Sequence, residues 1–435
     1  MKKFALLVLA ALFVISCNSD REHVLKVYNW SCYIDETVIP EFEQWYKEQT
    51  GEDIKVIYQT FDINETMLSK IEKGHEDFDV VCPSDYIIER MLNNDMLLPI
   101  DFSLLNDDIN YIESNRSPYI QELFSKINPD IDANKYSVAY MWGTVGLLYN
   151  AKYVSDDEAF SWKILSDPKY AGKIFIKDAP RDVYSPILMY LNRDRLEKGE
   201  VTMDELMLDS SDESIAAVEE YMKKVKELVA GWEADFGKEQ MTKERGYISL
   251  NWSGDAVWAI EEAAEIGVDL HYQIPAEGSN VWFDGWVIPK YAQNSKAATY
   301  FIDFMCRPDI AIRNMEVTGY VPANGNIEVL ESQIDESYDP IDVSYFFGDD
   351  AAAAVCVNPV LYPDRSTIVN CALMHDWGED SGKLLAMWSR IKGNNANSTT
   401  IIVVAVTLLL IISYAVYRRL GARHRHTRSG RKSKR

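Results

Sequence analysis

Eleven residues of this chain have types and positions suited to capturing a cation: Trp30, Ser31, Tyr33, Ser84, Tyr86, Asp182, Trp252, Asp255, Trp282, Asp284 and Tyr320. They are aromatics, hydroxyls and carboxylates. The face of an aromatic ring attracts an organic ammonium group through the ring quadrupole, by roughly 0.5–2 kcal/mol per contact depending on desolvation. Carboxylates add charge-assisted hydrogen bonds to N–H donors. Flat ring faces also suit methylene stems, so aromatic walls with acidic ends are what a linear diamine or triamine needs. The chain has no CxxC, HExxH, P-loop or GxSxG, and its cysteines lack metal-ligand spacing. No nucleophile–base pair stands out either. The expectation is therefore a binding protein without cofactor or metal, not an enzyme.

Each of these residues also has a plainer reading. Most tryptophans in a chain with 11 of them pack the core, and Trp45, Trp142, Trp162, Trp232, Trp377 and Trp388 are expected to do so. An aspartate at a strand end serves equally well as a helix N-cap, and Asp182 and Asp255 both fit that role. What raises the set above packing is position.

The elements that would place it alternate. "LKVYNW", "IKVIYQT" and "FDVVCP" read as strands, and "ETVIPEFEQWYKEQ", "NETMLSKIEKG" and "DYIIERMLNND" as helices. Short apolar runs alternating with amphipathic segments signal βαβ units around a covered parallel sheet. Sites in such sheets sit at the carboxyl ends of strands, where "WSCY" and "PSDY" fall. Farther on, "YSVAYMWGTVGLLYN" reads as long strands and residues 213–230 as an amphipathic helix. "YISLNWSGDAVWAIEEA" reads as a strand turning into a helix. "DLHYQIPAEGSNVWFDGWVIP" reads as a pair of strands joined by a Gly turn, followed by helices at 294–306 and 308–316.

The two ends differ from this body. "MKKFALLVLAALFVISC" resembles a bacterial lipoprotein signal, residues 1–17, with Cys17 as the lipidated residue. A polar linker, 393–400, precedes an apolar run expected to form a transmembrane helix at 401–417. The basic tail 418–435 holds nine of the 44 basic residues and none of the 68 acidic ones. The positive-inside rule places that tail in the cytoplasm and the body outside. With the basic residues drawn to the ends, the body is more acidic than the net charge of −24, which argues against nucleic acid. Cys356 and Cys371 flank one loop, and their pairing stays open.

At this point the residues carry a resemblance. "VYNWSCYI", "KVIYQTFDINETM", "FDVVCPSDYIIERM", "YMWGTVGLLYN", "KDAPRDVY", "NWSGDAV", "WFDGWVIP", "RPDIA" and "TGYVPAN" occur in this order. Over residues 25 to about 392 the chain resembles the spermidine/putrescine-binding proteins of polyamine ABC transporters. The resemblance implies an α/β, two-lobed type II periplasmic binding protein fold with hinge crossovers. One lobe would take 25–140 and 285–325, the other 141–284 and 326–392.

The resemblance also implies roles. Trp30, Tyr33, Trp252 and Trp282 would wall the pocket, and Ser31 and Ser84 would contact ligand through their hydroxyls. Asp182 and Asp284 would bind amines, with Tyr320 near the latter. Tyr86 matches spermidine-preferring members and Asp255 putrescine-preferring ones. Cys32 stands where the family usually has an acid, and Met374 or His375 where spermidine-preferring members place a glutamine. The implied partners are a polyamine, the permease subunits of an ABC importer, and a membrane reached through the lipid anchor and C-terminal helix. The alternatives are a receptor of the same fold for another small cationic solute, and a membrane-tethered polyamine sensor.

Overall fold

The computed structural model describes residues 21–105, 110–128, 130–233 and 236–393. The chain divides into a unit ending at Leu384 and a second beginning at Leu385, and the architecture below belongs to the first. The leader with Cys17, the segment 401–417 and the tail 418–435 lie outside the described residues.

The N-terminal alternation folds as the pattern of apolar runs requires. It comprises β1 (Val24–Trp30), α1 (Val38–Thr50), β2 (Lys55–Phe61), α2 (Asn64–Glu72), β3 (Val80–Val81) and α3 (Asp85–Asn93). β1 pairs in parallel with β2, from Val24 opposite Lys55 to Trp30 opposite Phe61, and with β3 on its other side. α1 buries Val38, Phe42, Trp45 and Tyr46, one face of a helix. It stops at Gly51, whose left-handed φ of 76° lets its N–H return to the Lys47 carbonyl. "FDVVCP" yields only the two-residue β3, because Pro83 has no N–H for a ladder and the chain turns at once into α3.

The further elements that position the site are β4 (Ser137–Asn150), β5 (Ile174–Lys177), α4 (Pro180–Leu191), α5 (Asp212–Lys226), β6 (Val229–Glu233) and β7 (Ile248–Trp252). They are followed by α6 (Ser253–Glu265), β8 (Leu270–Gln273), β9 (Ser279–Pro289), α7 (Ser295–Met305), α8 (Pro308–Thr318), β10 (Val321–Pro322) and β11 (Cys371–Leu373). The strand order is β2-β1-β3-β9-β4-β7-β5-β6. β4 belongs to both halves of this arrangement. Its Ser137–Thr144 stretch pairs antiparallel with β9, and its Val145–Tyr149 stretch with β7. This is the expected mixed α/β, two-lobed architecture.

Several expectations need correction. The helix expected over 213–230 ends at Lys226, and Val229–Glu233 becomes β6, paired in parallel with β5; sheet pairing overrides the helical pattern there. The strands of 269–289 do not pair with each other. Each pairs with β4, β9 along its first half and β8 along Leu147–Asn150. The C-terminal transmembrane helix is not part of the observed fold. No helix of the described residues is long and apolar enough to cross a membrane. α5, with 15 residues, reaches only about 22 Å against a hydrocarbon core of about 30 Å. Cys356 and Cys371 are both free thiols.

The core leads directly to the strand ends. Phe42 packs edge-on to Phe301 (5.1 Å between centroids), Phe301 to Trp286 (5.5 Å) and Trp286 against Tyr140 (4.7 Å). Tyr140 meets Tyr33 at 5.5 Å. Of the tryptophans of this unit expected in the core, Trp45, Trp142 and Trp162 are buried, and Trp232 and Trp377 are half-buried; Trp388, in the second unit, is buried too.

Candidate functional site

The site is built where helices begin and strands end. Ser84 is the N-cap residue of α3 and Trp252 that of α6. Asp182 and Asp255 lie in the first turns of α4 and α6. Neither is the cap residue, which is Ala179 in α4 and Trp252 in α6. Asp284 sits where the β9–β4 register shifts between Asp284 and Gly285. It also bridges to Ser84 from the neighbouring strand. Such a bulge re-aims a side chain out of the regular alternation, here toward the start of α3.

Two glycines make room for the aromatic wall. A Cβ on Gly143 would lie 2.7 Å from the Trp282 ring, and one on Gly254 would lie 2.4 Å from the Tyr320 ring. The two rings meet edge-on at 5.6 Å, and Tyr320 meets Tyr33 at 5.5 Å. Tyr33, Tyr320 and Trp282 thus form one continuous surface backed by the core.

One end of that surface carries buried carboxylates held by neutral donors. Asp284 accepts from the Tyr33 hydroxyl (2.8 Å) and the Ser84 hydroxyl (2.6 Å). The Trp30 indole N–H is buried without a hydrogen bond and lies near enough to favour the charged carboxylate. Asp182 accepts from the Asn280 amide at 2.9 Å. Among the described residues, neither carboxylate takes part in an ion pair. Burial pushes both up to about 6, with Asp182 raising Asp284 further; the neutral donors pull the other way, as do the Lys177 and Arg181 charges at Asp182. Two charge-assisted hydrogen bonds stabilise a carboxylate by about 1.5–3 kcal/mol each, while burying its charge costs several kcal/mol. Desolvation therefore wins at Asp284. Burial also raises Asp85, with the charges of Asp284 and Asp182 adding to the effect. Three carboxylates thus crowd one buried region. Tyr33 is held well above the usual phenol range by burial and by Asp284, so it stays a donor.

The other end is paired internally. Asp255 is bound by the Lys177 ammonium at 2.7 Å and the Lys238 ammonium at 3.0 Å, and the Tyr320 hydroxyl donates to it at 3.3 Å. Lys177 is fully buried, also pairs with Glu233 at 3.2 Å, and lies 4.2 Å from the centroid of the Trp252 ring. Burial alone would raise Asp255, but the two lysines outweigh it and hold the carboxyl below the ordinary range.

Nine of the eleven expected residues join this network by direct contacts or shared electrostatics. Tyr86 meets it at the edge: its hydroxyl takes a hydrogen bond from Asn64 (3.0 Å), its ring lies 4.2 Å under the Arg181 guanidinium, and it feels the Asp182 charge. Ser31 is not brought in, since it is exposed and donates to Asp62 at 2.8 Å. Cys32 is exposed as well. His375 is buried but engages Glu89 (3.2 Å) and, through its carbonyl, Arg181. Sequence reasoning missed Asp85, Lys177, Arg181 and Asn280. Asp85 directly follows Ser84. Lys177 closes a strand whose four residues are all buried, and a buried lysine demands a counter-charge. Neither of two cavities elsewhere, of about 30 and 440 Å³, is lined by a residue of this network.

A family model described as bacterial extracellular solute-binding protein matches residues 41–335. The putrescine-binding periplasmic protein PotF of Escherichia coli is 29% identical over 356 residues, covering 78% of this chain and 89% of the relative. The spermidine/putrescine-binding periplasmic protein of the same organism is 28% identical over 404 residues, covering 90% and 99%. Among solved structures, the spermidine/putrescine ABC transporter substrate-binding protein PotD from Streptococcus pneumoniae is similar with a TM-score of 0.62 and 28% identity, over 85% of this chain and 98% of that one.

Proposed function

The chain belongs to the bacterial extracellular solute-binding proteins, and from that premise we propose that it is an extracytoplasmic polyamine receptor delivering its ligand to an ABC importer. The observation that carries this reading is the pair Asp182 and Asp284. Both are buried and hydrogen-bonded by neutral donors; Asp284 accepts from Tyr33 of the aromatic surface, and Asp182 lies near enough to raise Asp284. A ligand ammonium supplies the missing positive charge and moves each carboxyl back toward its ionised form. Methylene stems lie on the rings. Micromolar affinity needs about 8 kcal/mol, which two paired ammonium groups and buried methylenes can supply.

In this reading Asp284 anchors one ammonium, with Tyr33 and Ser84 fixing its carboxylate. Asp182 binds the other, Trp30, Trp252, Trp282 and Tyr320 wall the path, and Tyr86 borders it. The lobes are 25–140 with 285–325, and 141–284 with 326–392. Ligand shifts their open–closed equilibrium, and the closed form docks on the permease. Cys17 carries the lipid that holds the receptor at the membrane; labelling with a radioactive fatty acid, lost on Cys17→Ala, tests that part.

The receptor reading is tested by calorimetric titration of the ligand-free protein with putrescine, spermidine, spermine and a neutral amino acid. Saturable binding of a polyamine but not of the amino acid is expected. A folded, ligand-free protein that binds no polyamine would sink the reading.

A further inference from the structure

Lys177 stands in surroundings that a ligand's ammonium group would itself seek. Its Nζ lies between the Asp255 carboxylate at 2.7 Å and the Glu233 carboxylate at 3.2 Å, over the face of Trp252 at 4.2 Å. The strand β5 delivers it there, since the four residues of β5 are buried and Lys177 is the last of them. Two carboxylates and an aromatic face are the elements that bind an alkylammonium. The same elements recur at the Asp182–Asp284 end, where no lysine or arginine among the described residues forms an ion pair with either acid. The two ends share the aromatic surface, because Tyr320 touches both Trp282 and Asp255.

We propose that Lys177 is a specificity-determining residue: its own ammonium fills the cation subsite formed by Asp255, Glu233 and Trp252, so that ligand ammonium groups are taken only at the Asp182–Asp284 end and a short diamine is preferred to a triamine. This rests on the polyamine-receptor reading and goes beyond it by fixing which carboxylates the ligand uses. An alkylammonium on a side chain occupies its subsite at no cost in translational freedom, so a ligand of comparable chemistry does not displace it. A triamine that reaches toward Asp255 then meets a carboxylate already compensated by two ammonium groups. Lys238, which reaches Asp255 at 3.0 Å while itself partly exposed, adds a second internal charge that disfavours a ligand cation there.

The test is calorimetric titration of the full-length wild type, Lys177→Met and the paired variant Lys177→Met/Asp255→Asn with putrescine and spermidine. The wild type is expected to bind putrescine more tightly than spermidine. Lys177→Met, which vacates the subsite and keeps the stem, is expected to raise the spermidine-to-putrescine affinity ratio by about tenfold or more. The paired variant, which removes one charge of each sign, is expected to bind putrescine within about threefold of wild type, because the ligand never used Asp255. A ratio that stays within about twofold in folded Lys177→Met overturns the inference. So does a loss of putrescine affinity of about tenfold or more in the folded paired variant, and that arm decides the matter should Lys177→Met not fold. Either result leaves the receptor reading standing so long as the wild type binds putrescine. Absence of any polyamine binding by the wild type overturns both.

Discussion

The two acidic ends of the site use the same residue in opposite electrostatic states. Asp182 and Asp255 both occupy the first turn of a helix that starts at the end of a buried strand. Both are buried, at 9% and 5% exposure. Yet burial raises Asp182 to about 6, while Asp255 lies below the ordinary carboxylate range. The helix N-terminus favours an anion at both places by a similar amount, so it does not separate them. Lysine does. Asp255 has two ammonium groups within 3.0 Å; among the described residues Asp182 and Asp284 have none so close, and Lys177 and Arg181 act on Asp182 only from farther away. A carboxylate left without a counter-ion in a dry site is prepared to receive one from outside. A carboxylate that already has one is part of the scaffold.

Substitutions that remove charge from each end should therefore have opposite signatures. Asp284→Asn is expected to weaken putrescine binding by about thirtyfold or more, since losing one partner of a buried charge pair costs at least about 2 kcal/mol. The ligand-free variant should at the same time be more stable than wild type. The shift of Asp284 from 3.8 to about 6 corresponds to roughly 3 kcal/mol of unfavourable ionisation at neutral pH, and the neutral side chain relieves part of it. Asp255→Asn should destabilise the ligand-free protein by about 3 kcal/mol, the cost of breaking a buried pair and leaving a buried ammonium under-compensated. Thermal unfolding of the three proteins without ligand checks both signs. A stability loss in Asp284→Asn, or none in Asp255→Asn, would dissolve the contrast.

How much of this contrast is legible in the sequence depends on distance along the chain. The strand–helix alternation before residue 95 is local. Apolar runs bounded by Gly51 and Pro83 declare it, and each expected element is found. The strand-end positions of Trp30, Ser84, Asp182 and Trp252 are equally local, which is why the set assembles. Partnerships are not local. Lys177 and Asp255 are 78 residues apart, Tyr33 and Asp284 are 251 apart, and nothing in "IFIKDAP" says which acid its lysine will meet. Ser31 shows the same limit in reverse. It ends the right strand, but Asp62 on the adjacent chain segment claims its hydroxyl. The pairing of both β8 and β9 with β4 was hidden because strand neighbours are chosen by the whole sheet, not by the turn between them.

The two ends should also separate with pH. Asp182 and Asp284 have folded values raised to about 6, above those of the unfolded chain. The ligand-free protein therefore holds protons that unfolding would release. The stability these two groups contribute is complete below about pH 4 and is lost as pH rises through about 6. A bound ammonium favours the ionised carboxylates, so binding expels those protons. Putrescine affinity is expected to fall by about tenfold between pH 7.5 and 5.5, with proton release in calorimetry run in buffers of different ionisation enthalpy. Asp255, already ionised and paired, contributes nothing to this change. A pH-independent affinity across that range would mean that the ligand's charge is met elsewhere.

The smallest expected effect concerns Cys32, next to Tyr33 at the Asp284 end. Its φ of 55° is in the left-handed region, where aspartate and asparagine are several-fold enriched because a short polar side chain bonds locally. Cys32→Asp should accordingly stabilise the fold by a few tenths of a kcal/mol. Its side chain is exposed, so the added carboxylate is solvated and its attraction for a ligand ammonium is screened. Putrescine and spermidine affinities are each expected to change by less than about threefold. A selective gain for spermidine would place a third ammonium at the Asp284 end. The carboxylate that meets it would then lie at the mouth of the site, on the side opposite Lys177, and the two ends would differ in reach as well as in charge.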